Sequence, residues 1–352
     1  MTTPSTLLVA SRMQVNRANA ISAPMTWGFP AMPAFLGVQW ALNRRMGAVG
    51  IPLRATRVAV VAHQTVVRGG SDRFSLARHP RVLENKSKNI FQDAPFFEEG
   101  FMHMEISLIF EMQYLSEALR DEHVLDRTGN ASRETAARIL DLLHGIRIAG
   151  GEVMPRVQGL VRNRREMAFF VDPDDKKAVR RLKYHLLPGF ALVARPDLLT
   201  ERAAAMPSET VFEAWLDLIR FNYRAASETE DEADAGKPIP WRADDRPAGY
   251  LVPVPVGYRA ISRMFAPGEL AHSRDPRVPA QFVEALYTIG QWVSPHRASA
   301  SIDKLLWSAK WDAEAGLYLC QNDYAAASEE GDFEESSSND VPTNEDDVLA
   351  QI

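Results

Sequence analysis

The chain has 352 residues, 46% hydrophobic and 24% charged, a composition that fits a soluble globular protein of one large or two ordinary domains. Its one cysteine, Cys320, excludes an internal disulfide and a cysteine-built metal site, and no run of 18 apolar residues is available to cross a bilayer. The formal charge of −6 is uneven: residues 325–352 hold nine acids and no base, and without them the rest carries +3.

A strand is expected over residues 6–15, "TLLVASRMQV". About eighteen residues rich in Asn, Ser, Thr, Pro and Gly follow, a loop long enough to suggest function. A helix is expected over 34–46, with Phe35, Val38, Leu42 and Met46 at helical spacing and Arg44 and Arg45 on its last turn. The β-branched run 57–67 reads as a central strand. Residues 100–112 alternate, with Met102, Met104, Ile106, Leu108 and Phe110 on one face and His103, Glu105, Ser107 and Glu111 on the other. Ser132 is the expected cap of a helix whose stripe is Ala136, Ile139, Leu140 and Leu143. A glycine pair, Gly150–Gly151, then precedes a last strand.

That β-α-β-β-α-β order predicts an α+β fold with a ferredoxin-like, RRM-type core over 1–155, interrupted at about 69–99 by an insertion far longer than a hairpin needs. The third strand, "MHMEISLIF", lacks the pair of exposed aromatics with which RNA-recognition modules stack bases. A mixed α/β second lobe is expected over 156–324. It holds a helix around 208–225, a hairpin-like 249–262, a helix over 279–293 and an acidic loop at 226–240. The tail 325–352 reads as a solvated disordered end. The N-terminus has no basic lead-in to a secretion signal, so a reducing cytoplasm is the expected location.

Candidate chemistry is that of binding. Asn16, Asn19, Ser22 and Thr26 can present amides and hydroxyls to nucleotide edges or phosphates, with Trp27 or Phe29 against a base. The same residues also suit an Asx-rich loop that satisfies its own backbone. Gly150 and Gly151, after Arg147, allow a backbone to approach a phosphate, or form a tight turn that needs glycine anyway. Two basic sets suit a phosphate backbone or a solvated face. One comprises Arg68, Arg73, Arg78, Arg81, Lys86 and Lys88; the other is ten cations between Arg156 and Arg195. No histidine has a metal-site spacing and no nucleophile elbow or triad is visible, so no metal, cofactor or catalytic residue is expected.

Several blocks in order carry a resemblance: "ANAISAPMTWGFP" (18–30), "RIAGGEVMP" (147–155), "LLPGFALVAR" (186–195), "GYLVPVPVGYRAIS" (249–262), "FVEALYTIGQWVSPHR" (282–297), and "LLW" with "GLY" within 305–318. Together they resemble the smaller tail subunits of type I-F CRISPR surveillance (Csy) complexes, in the Cas-five branch of the repeat-associated RNA-binding superfamily. The resemblance runs from about residue 6 to 320. It implies a non-catalytic subunit of an antiviral effector that grips the 5′ handle of the CRISPR RNA with a larger tail subunit. It also implies that the 69–99 insertion is a thumb packed on the adjacent backbone subunit, and that target DNA is met through the complex. The opening loop (Asn19, Ser22, Thr26, Trp27) and the glycine loop (Arg147, Gly150, Gly151) would line the handle. The alternative is a CRISPR RNA-processing endoribonuclease of the same superfamily, which needs a base and a charge stabiliser such as His63 or His185 with Lys183.

Overall fold

A computed structural model describes residues 5–68, 77–79, 82–85, 90–93, 97–116, 130–155, 167–225, 241–243, 246–296 and 301–324. The first half contains β1 (Ser5–Asn19), β2 (Ile21–Ala23), β3 (Thr26–Trp27), α1 (Met32–Ala48), β4 (Leu53–Arg68), β5 (Ala77–His79), β6 (Val82–Asn85), β7 (Ile90–Asp93), β8 (Phe97–Glu99), β9 (Phe101–Tyr114), α2 (Asn130–His144), β10 (Arg147–Ile148) and β11 (Gly151–Met154). The second half contains β12 (Ala168–Val171), α3 (Lys176–His185), β13 (Phe190–Ala194), α4 (Pro196–Ala205), α5 (Val211–Ile219), β14 (Tyr223–Ala225), β15 (Trp241–Ala243), β16 (Tyr250–Ala260), β17 (Val283–Val293), a 3-10 turn (Ile302–Leu305), β18 (Trp307–Asp312) and β19 (Leu317–Asn322).

One large antiparallel sheet organises the α+β fold, in the order β10-β11-β1-β9-β4-β13-β17-β16-β19-β18, with β12 beside the first half of β1. β1 stays in register with β9 through two bulges, where Arg12 and Arg17 take left-handed φ of 50° and 59°. Each bulge inserts a residue, so Ala10, Met13, Val15 and Ala18 all keep facing the same core. On that face lie the apolar stripes of α1 (Phe35, Val38, Leu42, Met46) and α2 (Ala136, Ile139, Leu140, Leu143), as their spacing predicts. Asn43 ties α1 to β4 twice: its Nδ2 donates to the Ala55 carbonyl at 2.8 Å, and the Ala55 N–H donates to its Oδ1 at 2.8 Å. On the opposite face Leu7, Val9, Ala59, Val61 and Ile109 pack under Leu182 and Leu186 and the 3-10 turn.

The second-half strands continue the same sheet. β13 pairs with β4 at Ala191↔Val61, and β18 returns to β4 at Trp307↔Val58, so six strands form a closed circuit that shares β4. Trp307 is fully buried inside it, and its indole N–H donates to the Leu192 carbonyl at 2.8 Å. β16 accepts Pro253 and Pro255 because they sit at alternate positions in the half that pairs only with β17; their missing N–H groups therefore face one unpaired edge.

Several sequence expectations are corrected. The long opening loop is not one: β1 runs on to Asn19, β2 and β3 form a small hairpin, and α1 begins at Met32. Residues 249–262 are a single strand, not a hairpin. The expected helix over 279–293 is β17: Tyr287, Thr288, Ile289 and Trp292 suit a pleated surface, and pairing with β16 along its length overrides the helical spacing. Ser132 lies inside α2, not at its cap. The 208–225 helix is only α5, started by a capping box in which Thr210 and Glu213 satisfy each other's backbone N–H groups. The insertion carries two ladders, β5 with β8 and β6 with β7. Residues 226–240 and 325–352, expected as acidic loop and tail, lie outside the described residues; β14 and β15 pair on either side of the former.

Candidate nucleic-acid interface

Three pieces of chain meet beyond the second bulge of β1. The Asn19 N–H donates to the Ala149 carbonyl at 2.8 Å, and the Ala20 N–H donates to the Gly100 carbonyl at 3.0 Å. The end of β1, the start of β9 and the β10–β11 hairpin thereby enclose a cleft lined by Asn16, Arg17, Asn19, Phe101, Arg147 and Gly150, among others. It continues past Asn19 and Gly150 into a second recess reaching Ser22, Tyr258 and Tyr318. Ala149 and Gly150 turn the hairpin with φ of 49° and 80°, a two-residue reversal in which both positions are left-handed and glycine relieves one of them.

Charge and one aromatic ring converge here. The Arg17 guanidinium lies 5.2 Å from the centroid of the Phe101 ring. His103, next on that face of β9, donates from Nδ1 to Asn16 Oδ1 at 3.1 Å and meets Phe101 edge-on. Burial first, and then the positive charges of Arg68 and Arg17, lower its pKa below the ordinary 6.5. Arg147 reaches Glu152 at 3.5 Å with both side chains about 70% exposed, a loose pair that a phosphate can displace. Cations, an amide and a half-buried aromatic ring suit single-stranded nucleic acid.

The predicted residues divide. Asn19, Arg147 and Gly150 line the cleft, with Ser22 in its continuation. Asn19 also closes an Asx turn: its Nδ2 donates to the Ile21 carbonyl and the Ile21 N–H donates to its Oδ1. Ser22 and Thr26 share a 2.9 Å hydroxyl bond, and Thr26 is buried. Trp27 packs on Gly100 and lines a separate apolar pocket with Phe29, Phe190, Tyr250 and Trp292. Gly151 is buried in the ladder, where a Cβ would stand 2.7 Å from the Ala18 nitrogen and the Asn16 oxygen; strand packing requires it. Arg68 is exposed at the end of β4, paired across to Phe101. Arg78 lies on β5, while Arg73 and Arg81 fall outside the described residues, as do Lys86, Lys88 and 156–166. Phe101 and Arg17 line the cleft but were not among the predicted site residues; the available signal was Gly100–Phe101 at the start of the alternating stretch.

The histidines of the nuclease alternative are built into the fold. His63 Nδ1 donates to the Pro188 carbonyl at 2.6 Å, so Nε2 accepts from Ser107 Oγ at 2.7 Å, which in turn accepts from the Arg12 N–H at 2.9 Å. His185 Nε2 bonds Ser11 Oγ at 2.9 Å, and burial lowers the pKa of Lys183. Among the described residues no cluster of His, Cys, Asp and Glu fit for a metal ion is present, and no helix is long and apolar enough to cross a membrane.

Comparison with known proteins gives two concordant matches. The profile of the CRISPR-associated protein (Cas_Csy2) family matches residues 8–320. The CRISPR-associated protein Csy2 of Pseudomonas aeruginosa (strain UCBPP-PA14) is 34% identical over 331 residues, covering 90% of this chain and 95% of the relative.

Proposed function

The chain belongs to the Csy2 family of CRISPR-associated proteins, of the type I-F system, and we propose that within the Csy complex it is a non-catalytic subunit holding the 5′ handle of the CRISPR RNA. It does so together with the large tail subunit and caps the backbone filament for target DNA recognition. In this reading β11-β1-β9-β4, covered on one face by α1 and α2, is a ferredoxin-like core. The 69–99 insertion is the thumb that meets the adjacent backbone subunit.

The observation that carries the reading is the cleft, where Arg17, Phe101, Arg147 and Gly150 surround a space open to solvent. A base can stack on the accessible part of Phe101 while the guanidiniums take phosphates, and the Asx turn at Asn19 holds the rim rigid. The engagement of both ring nitrogens of His63 supports a binding role over RNA cleavage.

Co-expression with the large subunit and a CRISPR RNA tests this. Phe101→Ala and Arg147→Ala are expected to lower the RNA recovered with the pair, Phe101→Ala by about 5-fold or more, as the loss of one base–aromatic stack implies. Unchanged RNA recovery in both variants would overturn the assignment of the handle to this cleft. Cleavage of repeat RNA by the purified chain, abolished by His63→Ala, would overturn the non-catalytic role.

A further inference from the structure

Residues 102–110 of β9 present no pair of exposed rings, yet later strands of the same sheet present a row of aromatics. Trp311 of β18 stands directly across from Tyr318 of β19, and Tyr318 directly across from Tyr258 of β16. Directly opposed residues share a face, so the three side chains form one cross-strand row. The same face of β18 and β19 is buried in the main core at Trp307 and Cys320, two and four residues away along the strands, and opens outward at Trp311. The Tyr258 and Tyr318 rings lie nearly parallel, their planes 25° apart and their centroids 6.4 Å apart. Trp311 is 54% exposed and Tyr258 40%, so both keep ring surface in water although such side chains favour burial. Burial, foremost, holds both tyrosines above their ordinary 10.0, Tyr318 at about 12 with Cys320 beside it, so near neutral pH they stay uncharged phenols.

The row borders the recess that continues from the RNA cleft. Asn19, Ala149 and Gly150 line both spaces, which makes them one path, and Tyr258 and Tyr318 stand in the recess. The recess measures about 520 Å³, within the range of about 300–1,000 Å³ common to small-ligand sites. Its lining holds no charged side chain, and Pro30, Ala31, Ala34 and Gly150 are small enough to leave space beside the rings. Cations line the cleft and rings line the recess, a division that suits phosphates in the first and bases in the second.

We propose that Tyr258, Tyr318 and Trp311 form a stacking platform for unpaired RNA bases, taking up the strand where it leaves the cleft past Asn19 and Gly150. The proposal rests on the reading of the cleft as an RNA site and extends it to the groups that hold the bases. Stacking of this kind tolerates any base, because every base has a π face, so the platform fixes the path of the strand rather than its sequence. Continuity with the cleft favours RNA over a protein segment as the occupant.

The test uses the chain co-expressed with the large subunit and a CRISPR RNA. Ultraviolet irradiation followed by peptide mapping is expected to give nucleotide adducts at Tyr258, Tyr318 or Trp311 as well as at Phe101. Tyr258→Leu with Trp311→Leu keeps apolar side chains at two exposed positions but removes their ring faces, and is expected to lower the RNA recovered by about 5-fold or more. Tyr258→Phe with Trp311→Phe keeps a ring at each position and is expected to retain the RNA, a split that follows from stacking and not from lost packing. Unchanged RNA recovery in the leucine variant, or nucleotide adducts at Phe101 with none on the row, would overturn the platform and leave the cleft standing. Adducts on the row with none at Phe101, and no effect of Phe101→Ala, would instead overturn the cleft and support stacking on the row. Loss of the large subunit from the leucine variant with no nucleotide adduct on the row would make the rings a protein contact and overturn the proposal.

Discussion

His63 shows how one side chain can look reactive and be structural. Its Nε2 accepts from Ser107, which already accepts from the Arg12 N–H, so a proton on Nε2 would leave the Ser107 hydroxyl hydrogen without its acceptor. Burial foremost, then the Arg12 guanidinium, push the imidazole below its usual 6.5 despite the Pro188 carbonyl. A neutral histidine in the fold contributes stability that is full above about pH 6.5 and is lost as pH falls toward the lower folded-state value. Melting temperature is therefore expected to drop between about pH 7 and 5 in the wild type and to fall less in His63→Gln; parallel pH profiles would refute the account. Two glycines make a second residue-scale case. A Cβ on Gly100 would stand 2.5 Å from Ile21 Cγ1 and closer still to the Trp27 ring, and one on Gly151 would strike backbone. Gly151→Ala is expected to destabilise more than Gly100→Ala, by about 1–3 kcal/mol or beyond, because side chains can yield and a ladder cannot. Equal denaturant midpoints for the two variants would contradict this. Neither close approach was legible in the sequence, which offered "GG" either as a phosphate loop or as a turn.

Elements with a strong local signal were legible. The α1 and α2 stripes are buried as their periodicity requires, and the alternation over 100–112 matches a strand with Met102, Met104, Ile106, Leu108 and Phe110 inward. Ser107 lies on the far face of β9 as the alternation has it, with Ile109 beside it; both are fully buried because that face is itself covered by the second core cluster. β17 failed outright: Phe282, Leu286, Ile289 and Val293 have helical spacing, and only pairing with β13 and β16 makes them strand. Gly290 sits there against Val254 and Leu192, where a helix would have no use for it. At the join of α1 and β4, Asn43 bonds both backbone groups of Ala55, so Asn43→Leu strands the Ala55 N–H, while the carbonyl keeps the Gln39 amide at 3.0 Å. The expected cost is about 2 kcal/mol or more, read as a shift in urea midpoint, whereas Thr210→Ala at the α5 capping box should cost only about 1 kcal/mol.

At the scale of the whole molecule, β4 is the strand on which both halves depend. β9 takes one edge, β13 and β18 share the other, and Arg57 on β4 grips Glu111 of β9 through two 2.7 Å bonds while also reaching Asp303 of the 3-10 turn. The guanidinium holds the Glu111 carboxyl below its ordinary range, against the opposing effect of burial. Arg57→Met is expected to leave a partly buried carboxylate without its main partner and to cost about 3 kcal/mol, with loss of one cooperative transition for the entire sheet rather than for one half. Two separate melting transitions already present in the wild type would argue against a sheet that unfolds as a unit. Trp307 belongs to the same closure, since its burial and its bond to Leu192 exist only when β18 has returned to β4.

The sequence by itself determined what local periodicity and composition can carry: an α+β chain, its first β-α-β-β-α-β order, the two helical stripes, and by its ordered blocks the Csy2 family. The tertiary structure alone decided the rest. Pairing between strands far apart in the chain leaves no local mark, so the continuous sheet, the seat of β17 against β13 and the run of β1 on to Asn19 against β9 were visible only once the chain had folded. The cleft has the same origin: Arg17, Phe101 and Arg147 meet because a bulge, a strand start and a two-residue turn converge, and no spacing in the chain records that meeting.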